Sequence, residues 1–186
     1  MTPRERLVEM LAARSARRGS FTLASGRTSN LYIDARLTTM SPDGLATIGP
    51  LALAALRQAG WNADSVGGLT LGADPVACAI AYASVLAGTP LRAFTVRKEA
   101  KAHGTGKLVE GPFRPGDRVV VVEDTLTTGI SALRAVAAVR AEGGTVLGVL
   151  TLVDREEGGR EAIGEAGLSV IALTSATEIV ARMLVP

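Results

Sequence analysis

Residues 118–131 read Arg118-Val-Val-Val-Val-Glu123-Asp124-Thr125-Leu126-Thr127-Thr128-Gly129-Ile130-Ser131. Two adjacent carboxylates, then hydroxyl side chains and a glycine, lie between a run of four valines and a stretch of good helix formers from Ala132 to Arg140. The valines suit a strand buried on both faces of a parallel sheet. The order is therefore strand, acidic pair, hydroxyl-rich turn, helix N-terminus. A helix N-terminus offers unpaired N–H groups and a partial positive charge, and so holds phosphate. Carboxylates repel phosphate, which makes Glu123 and Asp124 odd in a plain phosphate cradle. They make sense for a ligand that also carries hydroxyls or a divalent cation, and a phosphorylated sugar meets both demands. An ordinary strand-to-helix turn needs only one capping hydroxyl or carboxylate.

A second chemical stretch is Arg97-Lys98-Glu99-Ala100-Lys101-Ala102-His103-Gly104-Thr105-Gly106-Lys107, with four cationic side chains, two glycines and the only histidine. It has no apolar period and is too long for a simple turn, so it reads as a mobile functional loop. A third is Val153-Asp154-Arg155, a surface acid-base pair on its plainest reading. Gly67-Gly68-Leu69-Thr70-Leu71-Gly72-Ala73-Asp74-Pro75 leads into a helix, with Pro75 near its first turn.

The elements that must position these residues alternate along the chain. An amphipathic helix is expected over 4–17, with Leu7, Met10 and Leu11 on its apolar side. Short strands are expected at Phe21–Leu23 and Leu31–Ile33 around the turn Ser25-Gly26-Arg27. Ser41-Pro42-Asp43 starts a helix running to about Ala59-Gly60. Strands then fall at 65–69, 91–96, 119–122, 145–153 and 169–173, and helices at 75–86, 132–141, 156–166 and 175–184. This alternation predicts an α/β fold with a central, mostly parallel sheet flanked by helices, in which ligands bind beyond the carboxyl ends of the strands. Cys78, in an apolar helix, is expected in the core, and Trp61 is expected to pack at a helix end.

Composition narrows the classes. At 186 residues with 47% apolar residues, the chain suits one domain with a real core. It has no apolar run long enough for a transmembrane helix and no apolar block like that of a secretory signal, so a cytoplasmic location is the default. A single cysteine excludes an internal disulfide and a cysteine-built metal site. The net charge of +2 does not by itself imply nucleic acid, and 3% aromatics argues against stacking on single strands.

With these residues in hand, the 118–131 segment resembles the 5-phosphoribosyl 1-diphosphate (PRPP) signature of type I phosphoribosyltransferases: four apolar residues, two acids and a Thr-Gly-rich loop. The resemblance extends in order from Phe21 to about Arg155. It implies the type I phosphoribosyltransferase fold over 1–186 as a single domain, with a small N-terminal hood mainly in 1–40 and a core over about 41–186. It also implies that Glu123 and Asp124 accept hydrogen bonds from the ribose hydroxyls. Thr125, Leu126, Thr127, Thr128, Gly129, Ile130 and Ser131 would wrap the 5′-phosphate.

The 97–104 stretch is similar to the catalytic loop of orotate phosphoribosyltransferases. This similarity assigns Arg97, Lys98, Lys101 and His103 to PRPP, with Lys98, Lys101 and His103 catalytic. Cations there would neutralise the departing diphosphate. The resemblance further implies that Arg155 binds the orotate carboxylate, with Thr127 also facing orotate. It implies a Mg²⁺ cofactor carried mainly by PRPP and diphosphate rather than by protein ligands. A homodimer sharing loop 97–107 across its interface is implied too, with no nucleic-acid or membrane partner.

Phe21 to Asp34 is similar to the family's hood over the base. This chain departs from some members there: Ala24 stands where they have Lys, and Tyr32-Ile33 where they have two aromatics. Gly67 to Pro75 is similar to the diphosphate loop, with Gly72 where some members have Lys, and a non-proline cis peptide is expected near Leu71-Gly72. Two alternatives stay open at this stage. One is a phosphoribosyltransferase for another base, such as a purine. The other is a PRPP-sensing regulator built on the same fold, although no helix-turn-helix signal or added domain is evident.

Overall fold

The computed structural model describes residues 1–22, 28–99 and 107–183. Its centre is a six-stranded sheet built on runs of buried β-branched residues. The strands are β3 (Ser65–Leu69), β4 (Arg92–Val96), β5 (Val109–Glu110), β6 (Arg118–Leu126), β7 (Thr145–Asp154) and β8 (Val170–Ser175). Their order is β5-β4-β3-β6-β7-β8, all parallel except β5, which runs antiparallel to β4. The α/β class with a mostly parallel sheet is thus as expected.

The valine run explains the centre of the sheet. Val119 and Val121 pack on one face with Val136, Val139 and Ile163. Val120 and Val122 pack on the other with Ile48, Val76, Ile80 and Leu7. Burying each valine contributes about 1.5–3 kcal/mol, enough to hold this strand between two helical layers. All five β3 residues are buried as well. Gly67 and Gly68 sit there because a β-carbon would strike the Phe94 and Val122 carbonyls.

Helix α3 (Pro42–Gln58) starts where expected. Ser41 caps it, accepting from the Gly44 N–H at 3.2 Å, with Pro42 in the first turn. It packs on α4 (Ala73–Leu86), and at Gly49 the backbone of α4 comes too close to admit a β-carbon. The other face of the sheet carries α5 (Ile130–Ala141) and α6 (Gly159–Glu165), while α7 (Ala176–Met183) follows β8. Trp61 packs at a helix end as expected, filling the space left by Gly148.

Several expectations need correcting. The first helix, α1 (Pro3–Met10), passes into a π-helical turn at Leu11–Ser15, and residues 16 and 17 already belong to a strand. Leu7, Met10 and Leu11 are buried as expected, in the same cluster as the sheet face. The hairpin strands are longer than expected, β1 (Ala16–Thr22) pairing antiparallel with β2 (Thr28–Ile33), while the turn at 25–27 lies outside the described residues. A short helix, α2 (Arg36–Thr39), and the two-residue β5 carry no periodic signal and were not foreseen. Helix α6 starts at Gly159 rather than 156, after Glu156 and Gly158, which both have positive φ.

Cys78 is exposed rather than in the core. Helix α4 is apolar nearly all round, and its side away from α3 and the sheet leaves Cys78, Tyr82, Val85 and Leu86 uncovered.

Candidate active site

The chain runs from β3 outward to β4 and then returns to β6 on the other side of β3. The sheet's switch point is therefore the gap between β3 and β6, and the carboxyl ends of these strands flank the crevice where ligands bind in such sheets. The loop after β3 and the motif at the end of β6 both open there.

Strand β6 does not stop at the valines. It continues through Leu126, pairing Glu123 with Thr151 and Thr125 with Val153 of β7. The acidic pair is thus part of the strand and not of a turn. Strand alternation turns Asp124 toward the face that carries α4. There it meets Gly72, where an added β-carbon would stand 2.6 Å from Asp124 Oδ2. The Thr125 N–H donates to Asp124 Oδ1 at 2.9 Å. Glu123 is buried. Burial first, then the adjacent Asp124, push its carboxyl well above the usual carboxylate range. Burial also raises Asp124, against the lowering effect of the Thr125 N–H. Two carboxylates crowded in this way need donors, and sugar hydroxyls are donors.

The turn after the strand suits an anion. Gly129 is the N-cap residue of α5 with φ +81°, a conformation that excludes most side chains. No side chain caps this helix, so its first N–H groups have no side-chain acceptor. Thr127 is half-buried, and Thr128, Ile130 and Ser131 are exposed around it. Among the described residues, the buried Thr125 hydroxyl has no hydrogen-bond partner.

Across the crevice, the β3–α4 loop is braced by a residue the sequence reading passed over. Asp74 accepts from the Thr70 hydroxyl at 2.7 Å and the Thr95 hydroxyl at 2.8 Å, tying the loop to β4. The cis peptide of this loop is Thr70–Leu71, one bond earlier than expected. Another unforeseen cation is Arg36, held by Asp34 through contacts of 2.8 and 2.9 Å. Its charge lowers Asp124, opposing burial.

At the end of β7, Arg155 lies nine-tenths buried. Its N–H bonds to the Leu126 carbonyl at 2.8 Å, which seats it beside the motif. Its Nη2 donates to Ser29 Oγ of β2 at 3.2 Å and to Glu157 Oε1 at 2.6 Å. Among the described residues, its buried Nε has no hydrogen-bond partner. The hairpin is thereby joined to the core at the end of β7. Neither Ser29 nor Glu157 carries a sequence signal that would have found it. Tyr32 is partly exposed and lies against Phe21, with ring centroids 5.4 Å apart.

The loop beyond β4 is described only at its base. Arg97 reaches Glu110 at 3.5 Å, and Arg134 of α5 donates to the Lys98 carbonyl at 2.9 Å. Lys101 and His103 lie outside the described residues. A cavity of about 680 Å³ opens on the β4 side of the β3–α4 loop, lined by Thr70, Asp74, Thr95, Arg97 and Lys98, rather than over the acidic pair. The structure thus seats Arg155 beside Leu126 of the motif and sets Arg97 and Lys98 in the cavity on the β4 side. Among the described residues, no three His, Cys, Asp or Glu side chains gather as a metal-binding group, and no helix is long and apolar enough to cross a membrane.

No family model matches the chain. Individual relatives do. The orotate phosphoribosyltransferase of Aquifex aeolicus is 43% identical over 182 residues, 96% of this chain and 98% of that protein. That of Mycobacterium tuberculosis is 50% identical over 167 residues, 89% of each. Among solved structures, Mycobacterium tuberculosis orotate phosphoribosyltransferase in complex with PRPP superposes with a TM-score of 0.82 at 44% identity, covering 96% of this chain and 99% of that one. An adenine phosphoribosyltransferase from Leishmania tarentolae, 17% identical with a TM-score of 0.65, shares the fold alone. At 43–50% identity over most of its length to enzymes of one activity, the chain belongs to the orotate phosphoribosyltransferase family.

Proposed function

We infer that the chain transfers the 5-phosphoribosyl group from PRPP to orotate, giving orotidine 5′-monophosphate and diphosphate, a pentosyltransferase step of pyrimidine nucleotide synthesis. The observation that supports orotate best is Arg155, a buried guanidinium whose Nε has no acceptor among the described residues. A planar carboxylate on the base supplies one, and a purine carries none.

In the reaction, the C1–O bond to diphosphate breaks, a bond from an orotate ring nitrogen to C1 forms, and that nitrogen's proton passes to the departing diphosphate or to water. The transition state has oxocarbenium character on the ribose and growing negative charge on the leaving group. Glu123 and Asp124 hold the ribose hydroxyls, and the turn from Thr125 to Ser131 holds the 5′-phosphate, which fixes C1 in the crevice. Backbone N–H groups of the β3–α4 loop and the cations Arg97, Lys98, Lys101 and His103 take up the charge of the departing diphosphate. Thr127 and Arg155 orient orotate. No side chain acts as a covalent nucleophile in this scheme.

Mg²⁺ fits this site as a companion of the substrate. It demands an octahedron of oxygens, and the donors at hand are the carboxylates of Glu123 and Asp124. Diphosphate and ribose oxygens with water would complete the set, and the ion would add charge neutralisation. A cytoplasmic enzyme with small-molecule substrates goes with this reading, as does a homodimer sharing loop 97–107. Support for the dimer comes from α4, whose exposed Cys78, Tyr82, Val85 and Leu86 form an apolar stripe on the helix that follows the β3–α4 loop.

Loss of orotate absorbance in the presence of PRPP and Mg²⁺ tests the reading. Turnover with orotate and none with adenine or guanine is expected. Absence of orotate turnover, with PRPP still bound, would favour a sensor of PRPP over an enzyme.

A further inference from the structure

The inferred orotate contact, Arg155, is the middle residue of a turn whose flanking residues both aim a carboxylate at backbone N–H groups. Asp154 Oδ1 accepts from the Glu156 N–H at 2.9 Å, closing a side-chain turn around Arg155. Glu156 Oε2 accepts from the N–H and the hydroxyl of Thr177, in the first turn of α7, at 2.9 and 2.6 Å. The Arg155 N–H itself goes to the Leu126 carbonyl at 2.8 Å. Among the described residues, Glu156 is the one residue other than glycine with positive φ, +58°. A side chain in that region is held only where its surroundings fix it, and such outliers gather at ligand sites. Asp154 is buried, and its Oδ2 takes Arg160 Nε at 3.1 Å. The neighbours Asp154 and Arg155 therefore do not pair with each other. They leave the end of β7 in different directions, Asp154 toward Arg160 of α6 and Arg155 toward Ser29 of β2.

We propose that Asp154 and Glu156 are positioning residues that aim Arg155 at the substrate carboxylate. The proposal rests on the orotate reading of this site. A guanidinium sits at the end of a long side chain, and its planar fork meets a carboxylate in a narrow geometry. Where that side chain starts therefore matters. The Arg155 N–H fixes its place against β6, and the acceptors on Asp154 and Glu156 fix the bend that follows. The Ser29 contact at 3.2 Å holds the far end. Without the Asp154 acceptor, the Glu156 N–H loses its partner and less holds the positive-φ bend, so the turn relaxes and swings the Cα–Cβ bond of Arg155. A displacement of about 1 Å at a bound group is enough to weaken its contact severely. PRPP lies on the motif that ends β6, away from this turn. The effect is thus confined to orotate, and it passes only through the Arg155 side chain.

Asp154→Ala removes the acceptor for the Glu156 N–H. The expected result is an orotate KM raised by roughly tenfold, with kcat and the KM for PRPP within about twofold of wild type. Asp154→Asn keeps an acceptor for that N–H and gives up only the charge facing Arg160, which is half-exposed and can shift. Its orotate KM should return to within about twofold of wild type. Glu156 is exposed, so its substitution leaves the core intact. Glu156→Ala should raise the orotate KM by roughly threefold, and Glu156→Gln, which still accepts from Thr177, should restore it. The deciding measurement is a double-mutant cycle with Arg155→Ala. Once the guanidinium is gone there is nothing to aim, and Asp154→Ala on that background should change the orotate KM by less than about twofold. Additive effects overturn the proposal, because Asp154 would then act on orotate by another route. An unchanged orotate KM in both Ala variants overturns it too, as does an Asn variant as impaired as the Ala one. If Asp154→Ala does not fold, the Glu156 variants and their own cycle with Arg155→Ala decide in the same way. Wild-type turnover of orotate is measured first. Its absence counts against the function itself, whereas normal turnover with additive or silent variants counts only against the positioning role.

Discussion

Gly72 and Asp124 touch across the crevice between β3 and β6, so closely that a β-carbon at position 72 would stand 2.6 Å from Asp124 Oδ2 and nearer still to Oδ1. This contact joins the diphosphate side of the inferred site to the ribose side. Gly72 has ordinary helical dihedrals, φ −63° and ψ −43°, so its lack of a side chain serves space and not conformation.

Gly72→Ala should therefore fold and yet displace the Asp124 carboxylate. Overpacking of this kind costs about 1–3 kcal/mol, and here it falls on the position of a ligand-binding group. The expected result is a KM for PRPP raised by roughly tenfold with a small change in melting temperature. Steady-state kinetics with PRPP varied would check it, and an unaltered PRPP KM would show that Asp124 does not hold the sugar in this orientation.

Glu123 makes the stability of the free protein depend on pH. Its folded carboxyl is raised well above the usual range by burial and by Asp124. Between the ordinary carboxylate range and that raised value, the native state binds more protons than the unfolded chain. Stability from this group is therefore fully present below the window and is lost as pH rises through it. The carboxyls that ion pairs lower, such as Asp34 and Asp64, act at more acid pH and leave this window alone. Without ligand, the melting temperature should fall as pH rises above the ordinary carboxylate range, and Glu123→Gln should remove much of the slope. The same variant should weaken PRPP binding. Parallel melting curves for the two proteins would contradict the assignment.

Arg155→Ala removes the proposed carboxylate contact together with its link to Ser29. Loss of a buried charge-assisted pair should raise the orotate KM by roughly a hundredfold, about 2.7 kcal/mol. The KM for PRPP should stay within about twofold. Orotate kinetics unaffected by this substitution would remove the main ground for preferring orotate to another base.

Tyr82→Asp places a charge in the exposed stripe of α4, 70% exposed at Tyr82 itself. If a second copy covers this stripe, the carboxylate must be buried on association and the dimer should dissociate. Light scattering should report a dimer for the wild type and a monomer for the variant, with turnover falling as loop 97–107 loses its place across the interface. A monomeric wild type would end the dimer proposal.

Local chemistry carried most of the function. The valine run, the acidic pair, the hydroxyl-rich turn and Gly129 are neighbours in the chain, and strand burial, hydroxyl recognition and an anion at a helix start are all short-range effects. Alternation of period two and period 3.6 likewise announced the α/β sheet, since each element's buried face is written in its own residues. The extent of β6 was not legible. Glu123 and Asp124 look like turn residues until Thr151 and Val153 of β7 offer them a partner strand. Nor was the fate of Cys78, because a helix apolar on all sides does not say which side its neighbours leave bare.

The contacts that complete the site are long-range. Ser29 and Arg155 are 126 residues apart, Gly72 at the start of α4 meets Asp124 of β6, and Arg134 of α5 reaches the Lys98 carbonyl beyond β4. The sequence by itself determined which groups are present and in what local order, because propensity and periodicity act over a few residues. Only the tertiary structure decided which of them face one another, because burial and electrostatic pairing depend on distances that chain folding alone sets.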